Sequence, residues 1–224
     1  MFIEQLRIEK EKSEVLLLNV LPKSIVARLQ LGESVIADHV GDATILFADL
    51  VNFTTLSTRL SAVRLVNVLN HLFTDFDRLA MQYGLEKIKT IGDCYMVAGG
   101  LLETRSDHVA AVADMGLAIL ECVRQANLPL EEDLKIRIGM HAGPVIAGVI
   151  GTHKFIYDIW GDTVNTASRI ESHGVADAVN VTPEIYRRLQ DRFSFDYGGV
   201  IDLKGKGPSE VYFLRGRRWA DTGV

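Results

Sequence analysis

The chain has 224 residues and a net charge of -5, with 24 Lys and Arg against 29 Asp and Glu, long enough for one large domain with a proper core and an appendage. The acidic balance and a pI near 5.7 argue against a nucleic-acid partner, whose binding face would be strongly basic, while 48% hydrophobic and 24% charged residues are ordinary for a soluble globular chain. Two cysteines, Cys94 and Cys122, form no metal motif or disulfide framework and fit a reducing compartment; no apolar run approaches a membrane span, and no secretory cleavage pattern is present.

Residues 1–21 mix charge with leucine. Ile3, Leu6, Leu17 and Leu21 can share a stripe that Lys10 and Ser13 interrupt, which makes the segment a coiled-coil candidate or a helix lying on its own domain. Pro22 then starts a short helix, PKSIVARLQLG, which Gly32 ends. Such a break marks a connector, and residues 1–39 are assigned to it. The main domain follows over residues 40–215. Its first strand, over 43–50, leads into a long helix capped by Thr55 or Ser57 and running to Met81, with Leu60, Val63, Val66, Leu69 and Phe73 on the apolar side. Strands over 83–91 and 94–100 meet at Gly92 and Asp93 as a hairpin. A helix over 107–126 turns Val109, Val112, Met115, Ile119 and Val123 inward, and a strand pair over 134–141 and 145–150 flanks Ala142, Gly143 and Pro144. Strand, helix, two strands, helix, strand is the order of an α/β (α+β) ferredoxin-like βαββαβ sandwich, with helices covering one sheet face. Beyond it come a short strand over 155–159, a helix over 163–172, a helix capped by Thr182 and started by Pro183, and terminal strands over 193–203 and 211–214. The last residues, 216–224, read as a flexible tail.

Residues 43–54, ATILFADLVNFT, deliver Asp49 from an apolar strand to a polar turn. An unpaired carboxylate there costs on the order of several kcal/mol, so a cation, a donor cluster or exposure has to relieve it; capping the next helix is its plainer role. Asp93 ends a second apolar strand in EKIKTIGDCYM, where forming the turn is the plainer role. Side by side, two such carboxylates favour a two-cation phosphate site, because hard cations take oxygen ligands and polyphosphates supply the rest. The Leu50 carbonyl can add a ligand, and the amides of Asn52, Phe53 and Thr54 lead into a helix N-terminus suited to anionic oxygens. Lys89 shares a basic strand face with Lys87, and Arg137 interrupts an apolar run; both are solvated cations unless phosphates lie near. In YDIWGDTVNTASRIE, Asp162, Asn165 and Arg169 recur at helical spacing, and Asp158 ends a strand beside Ile159 and Trp160. Lys204 and Lys206 stand between glycines in LKGKG. The six histidines show no ligand spacing, and P-loop, dinucleotide and nucleophile-elbow patterns are absent.

In combination, FADLVNFT, EKIKTIGDCYM, RIGMHAG, YDIWGDTVNTASRIES and DLKGKG resemble the catalytic domain of the class III nucleotidyl cyclases, over residues 40–215. Residues 15–40 resemble the helical connector of receptor-type members. The resemblance implies a head-to-tail homodimer with two active sites shared across its interface, each using two divalent cations, Mg2+ or Mn2+. By motif, Asp49 and Asp93 resemble the metal-binding aspartates, helped by the Leu50 carbonyl, and Arg137 resembles a triphosphate-binding arginine of the same protomer. The other protomer would bring Lys89 and Asp158 to the base, Asn165 to the ribose, Arg169 to the transition state and Lys204 to the terminal phosphates. Family members often carry Gly where Asn52 stands, and Asn tolerates left-handed backbone better than most residues.

Substrate choice would rest on Lys89 and Asp158, where guanylyl cyclases of the family tend to carry Glu and Cys. Adenine offers an acceptor at N1 and a donor at N6, which Lys89 and Asp158 match and guanine reverses, so ATP is the expected substrate. Guanylyl cyclase is one alternative and a silent nucleotide-binding dimerisation domain another, although silent copies usually lose a metal aspartate or the arginine. A diguanylate cyclase would carry a GG[DE]EF-like hairpin where this chain has IGDCY. The abrupt start of the amino-terminal helix predicts a cytoplasmic catalytic domain within a longer receptor, membrane-anchored through a region upstream.

Overall fold

Two long strands are the spine of the fold. β1 (Ile36–Leu50) and β4 (Ile136–Ile150) pair antiparallel along most of their lengths. On its other edge β1 pairs with β3 (Cys94–Gly99), which continues into β2 (Glu86–Ile91) through the expected hairpin. The order β2-β3-β1-β4 is that of a ferredoxin-like sandwich. β5 (Ile156–Trp160) pairs with the far end of β4, β6 (Ala178–Val181) runs parallel to β4, and β8 (Gly207–Arg217) and β7 (Phe193–Leu203) extend the sheet outward. The computed structural model describes residues 20–101, 106–126, 134–151 and 153–218, with 5, 7, 9, 17 and 18 nearer the amino end; most of the coiled-coil candidate and residues 219–224 lie outside these.

The helices are α1 (Lys23–Gln30), α2 (Phe53–Arg59), α3 (Ala62–Tyr83), α4 (His108–Gln125), α5 (Asp162–Ser172) and α6 (Pro183–Leu189). Strand alternation sends Leu46, Ala48 and Leu50 of β1 and Ile136, Ile138 and Met140 of β4 to one face, where Leu72 and Phe76 of α3, Met115 and Ile119 of α4 and Ile185 of α6 meet them. Burying each of the larger side chains contributes roughly 1.5–3 kcal/mol. On the opposite face Ala43, Ile45, Phe47 and Val145 pack with Ile25 and Val26 of α1 and Ala167 of α5. Helices therefore cover both faces of the sheet, where the sequence pattern predicts one. The second layer is built from the connector helix and from α5.

Three other expectations change. The strand pair over 134–150 is the single strand β4. Gly41 and Asp42 of β1 stand opposite Pro144 alone, and a proline that lacks a ladder N–H is tolerated at such a bulge. The long helix to Met81 is broken after Leu60, whose extended ψ of 148° ends α2, and the Ser61 hydroxyl accepts from the Arg64 amide at 3.4 Å to start α3. This restart places Val68, Leu72, Phe76 and Ala80 on the buried stripe and leaves Val63 and Val66 exposed. Finally, the last strand, expected over 211–214, is β8, which runs on to Arg217, where the guanidinium is ion-paired with Asp114.

Candidate active site

Asp49 stands in register between Cys94 of β3 and Arg137 of β4. Alternation puts Asp49 and Arg137 on the face opposite the main core, and Arg137 Nη2 comes to 3.4 Å from Asp49 Oδ2. Asp93, at the tip of the β2–β3 hairpin, is next to Cys94. Burial and then the charge of Asp93 push the Asp49 carboxyl above its ordinary pKa, with Arg137 pulling the other way. Burial also raises Asp93. The Cys94 thiol is pushed up by burial and then by Asp49, Glu171 and Asp93, so it stays protonated and supplies no thiolate.

The chain reaches this arrangement through missing side chains. α5 lies along the face of β4 that carries Arg137. A Cβ added at Gly139 would fall 2.1 Å from the Glu171 amide nitrogen, and one at Gly143 would fall 2.8 Å from Thr163 Oγ1. Only glycine lets the helix come this close to the strand backbone. The contact sets the buried Glu171 beside Arg137, and Arg137 Nε donates to Glu171 Oε1 at 2.7 Å. Glu171 was not among the expected site residues, because a glutamate at the end of a polar helix has no distinguishing spacing. The available signal was Gly139 within an apolar strand, a mark of close backbone approach.

Asn52 adopts the left-handed conformation, φ 60° and ψ 21°, and leads directly into α2; asparagine tolerates that region better than most residues. At the start of that helix Phe53 packs partly on the main core and Thr54 is exposed, while Leu50 is buried at the end of β1.

A second cluster forms away from the aspartates. Lys89 Nζ is ion-paired with Asp158 Oδ2, and Asp158 Oδ1 accepts from the Ile159 amide at 2.9 Å. Lys89 is on the outermost strand and Asp158 on a strand attached to β4, so the twist and coil of the sheet bring them together. On α5, Asn165 is exposed and Arg169 half-buried; Lys204 is exposed in the β7–β8 turn, where Lys206 takes Asp162 as its partner. Among the described residues, no hydrogen bond or ion pair joins the side chains of Asn165, Arg169 or Lys204 to Asp49 or Asp93. One chain thus gathers Asp49, Asp93 and Arg137 in one place and Lys89 with Asp158 in another.

The Adenylate and Guanylate cyclase catalytic domain family matches residues 35–216. The chain belongs to this family. An adenylate cyclase of Mycobacterium tuberculosis is 43% identical over 213 residues, covering 95% of this chain and 48% of the relative. Guanylate cyclase soluble subunit beta-2 of Homo sapiens is 41% identical over 213 residues, covering 94% of this chain and 34% of the relative. This cyclase domain therefore spans less than half the length of either relative. Among solved structures, the guanylate cyclase domain of RhGC from Catenaria anguillulae in complex with GTP superposes with a TM-score of 0.78 at 33% identity, over 81% of this chain and 100% of that one. The domain is homologous to adenylyl and guanylyl members alike.

Membership carries an expectation of divalent-cation catalysis. Among the described residues no group of three or more His, Cys, Asp and Glu could hold a metal. Asp49, Asp93 and the Leu50 carbonyl still fit Mg2+, which commonly takes one or two carboxylates and completes its shell with water and substrate phosphates. The like-charge burden on Asp49 is what a bound cation would relieve. No helix among the described residues is long and apolar enough to cross a membrane.

Proposed function

We propose that the domain is an adenylyl cyclase that converts ATP to 3',5'-cyclic AMP and pyrophosphate as a homodimer with two shared active sites. The ion pair between Lys89 and Asp158 carries this reading. It holds one donor and one acceptor side by side, matching the N1 acceptor and N6 amino donor of adenine. Guanine presents the reverse pattern, and a polar group left mismatched once the base covers it costs about 1–3 kcal/mol.

Asp49, Asp93 and the Leu50 carbonyl would hold two cations, Mg2+ or Mn2+. When bound, these would lower the pKa of the ribose 3'-hydroxyl and neutralise charge on the phosphate chain. Arg137 grips the triphosphate, and the main chain at Phe53 and Thr54 lies beside the phosphate turn. From the second protomer, Lys89 and Asp158 read the base, Asn165 orients the ribose and Lys204 meets the terminal phosphates. The 3'-oxygen loses its proton and attacks the α-phosphorus in line; the bond from that phosphorus to the bridging oxygen breaks and pyrophosphate leaves. Arg169 offsets the charge that builds on the transferring group. The proposed setting is a cytoplasmic catalytic domain of a longer, membrane-anchored receptor, with the residues before β1 as connector.

A second reading, guanylyl cyclase, draws on the relatives, since the human guanylyl subunit is 41% identical and the mycobacterial adenylate cyclase 43%. Product chromatography after incubation with ATP or GTP and Mn2+ separates the two. Cyclic AMP is the expected product, and Lys89→Glu with Asp158→Cys should turn preference toward GTP by at least about tenfold. Cyclic GMP as the product of the unsubstituted chain, or an ATP preference that survives the double substitution, would remove the base-reading role.

A further inference from the structure

With Asp158, Glu171 is one of two buried carboxylates among the described residues, and the function above gives it no part. A buried carboxylate has to be met by a cation or by donors, and Arg137 Nε meets Glu171 at 2.7 Å. The same guanidinium is drawn toward Asp49, but only to 3.4 Å, beyond the length of a good charge-assisted bond. Two carboxylates thus compete for one arginine, and Glu171 holds the closer contact. A guanidinium has five N–H donors, and engaging it at Nε leaves most of the Nη donors over. The seat of Glu171 is rigid, because Gly139 lets the α5 backbone rest directly on β4 two residues from Arg137.

We propose that Glu171 is a positioning residue that pins the Arg137 guanidinium by its Nε edge, holding it off Asp49 and leaving its Nη donors for a polyphosphate. The inference rests on the triphosphate-gripping role given to Arg137. Without Glu171, Arg137 would close onto Asp49, occupying the metal-binding carboxylate and withdrawing from the anion. The effect acts through Arg137 alone, so it disappears once Arg137 is gone.

Calorimetric binding of inorganic tripolyphosphate with Mg2+ tests this, because the probe has no base and undergoes no cyclisation. The chains compared are the unsubstituted protein, Glu171→Gln, Arg137→Ala and the double variant. Glu171→Gln should raise Kd about tenfold, as loss of an orienting partner commonly does, and Arg137→Ala at least as much. In the Arg137→Ala background Glu171→Gln should change nothing further. Normal binding by Glu171→Gln, or an equal loss with and without Arg137, would overturn the proposal; normal binding by Arg137→Ala would overturn it together with the role assigned to that arginine. If Glu171→Gln fails to fold, Glu171→Asp keeps the charge on a shorter stem and should show a smaller loss, again only when Arg137 is present. A chain that makes neither cyclic nucleotide would sink the cyclase reading while this cycle still judged Glu171.

Discussion

In the proposed site, the value of Asp49 and Asp93 to function would oppose their contribution to stability. Both carboxyls are raised above the ordinary range, Asp49 by burial and then by the Asp93 charge. A raised acid binds its proton more tightly in the folded chain than in the unfolded one. Its cost to stability is complete above the folded pKa and fades as pH falls toward the unfolded value of about 3.9. Without added cations, Asp93→Asn should therefore stabilise the protein near pH 7, and by less near pH 4, modestly because solvent screens a half-exposed carboxylate. Thermal melts at the two pH values check this. The same variant should lose cyclase turnover by orders of magnitude and no longer melt higher with Mn2+; a melting temperature that falls at pH 7 would contradict the charge burden.

At the scale of elements, the contact of α5 with β4 decides whether the site exists. Gly139 and Gly143 keep the strand face bare, and Thr163 anchors the helix by donating from its hydroxyl to the Pro144 carbonyl at 2.6 Å. Gly139→Ala would place a methyl 2.1 Å from a backbone nitrogen, and backbone, unlike the end of a long side chain, cannot step aside. The expected cost is roughly 2–3 kcal/mol or more in denaturant melts, with weaker tripolyphosphate binding as Glu171 is displaced. Gly216→Ala, which meets nothing within 4 Å, is the control and should stay within about 0.5 kcal/mol. Equal costs at the two positions would mean that the helix can slide on its strand.

For the molecule as a whole, the two clusters belong to one chain and, in the proposed dimer, to different active sites. The exposed Ile150 and Ile156, paired across β4 and β5, and the exposed Ile146 nearby give the lone chain apolar surface that a second copy would cover. Mixing an Asp93→Ala chain with an Arg169→Ala chain should restore one working site per mixed dimer, about a quarter of unsubstituted turnover if two-fold pairs form at random. Each variant alone should be nearly inactive. Activity that stays at the single-variant level after mixing, under conditions where mixed dimers are demonstrated, would rule out shared sites.

Local order was legible in the residues themselves. The β2–β3 hairpin follows from two apolar runs hinged at Gly92 and Asp93, and α4 from apolar spacing at Val109, Val112, Met115, Ile119 and Val123, all of them buried. The left-handed Asn52 was legible only through the family resemblance, whose members often carry Gly there, together with asparagine's own tolerance of that region. Three features were not local. Pro144 reads as a turn until β1 places a bulge opposite it, β6 is four buried residues without alternation, and Glu171 acquires meaning only when Gly139 admits α5. Spacing along the chain encodes which way a side chain points from its own element. Which carboxylate meets which arginine depends on how closely two distant backbones approach, and packing alone decides that.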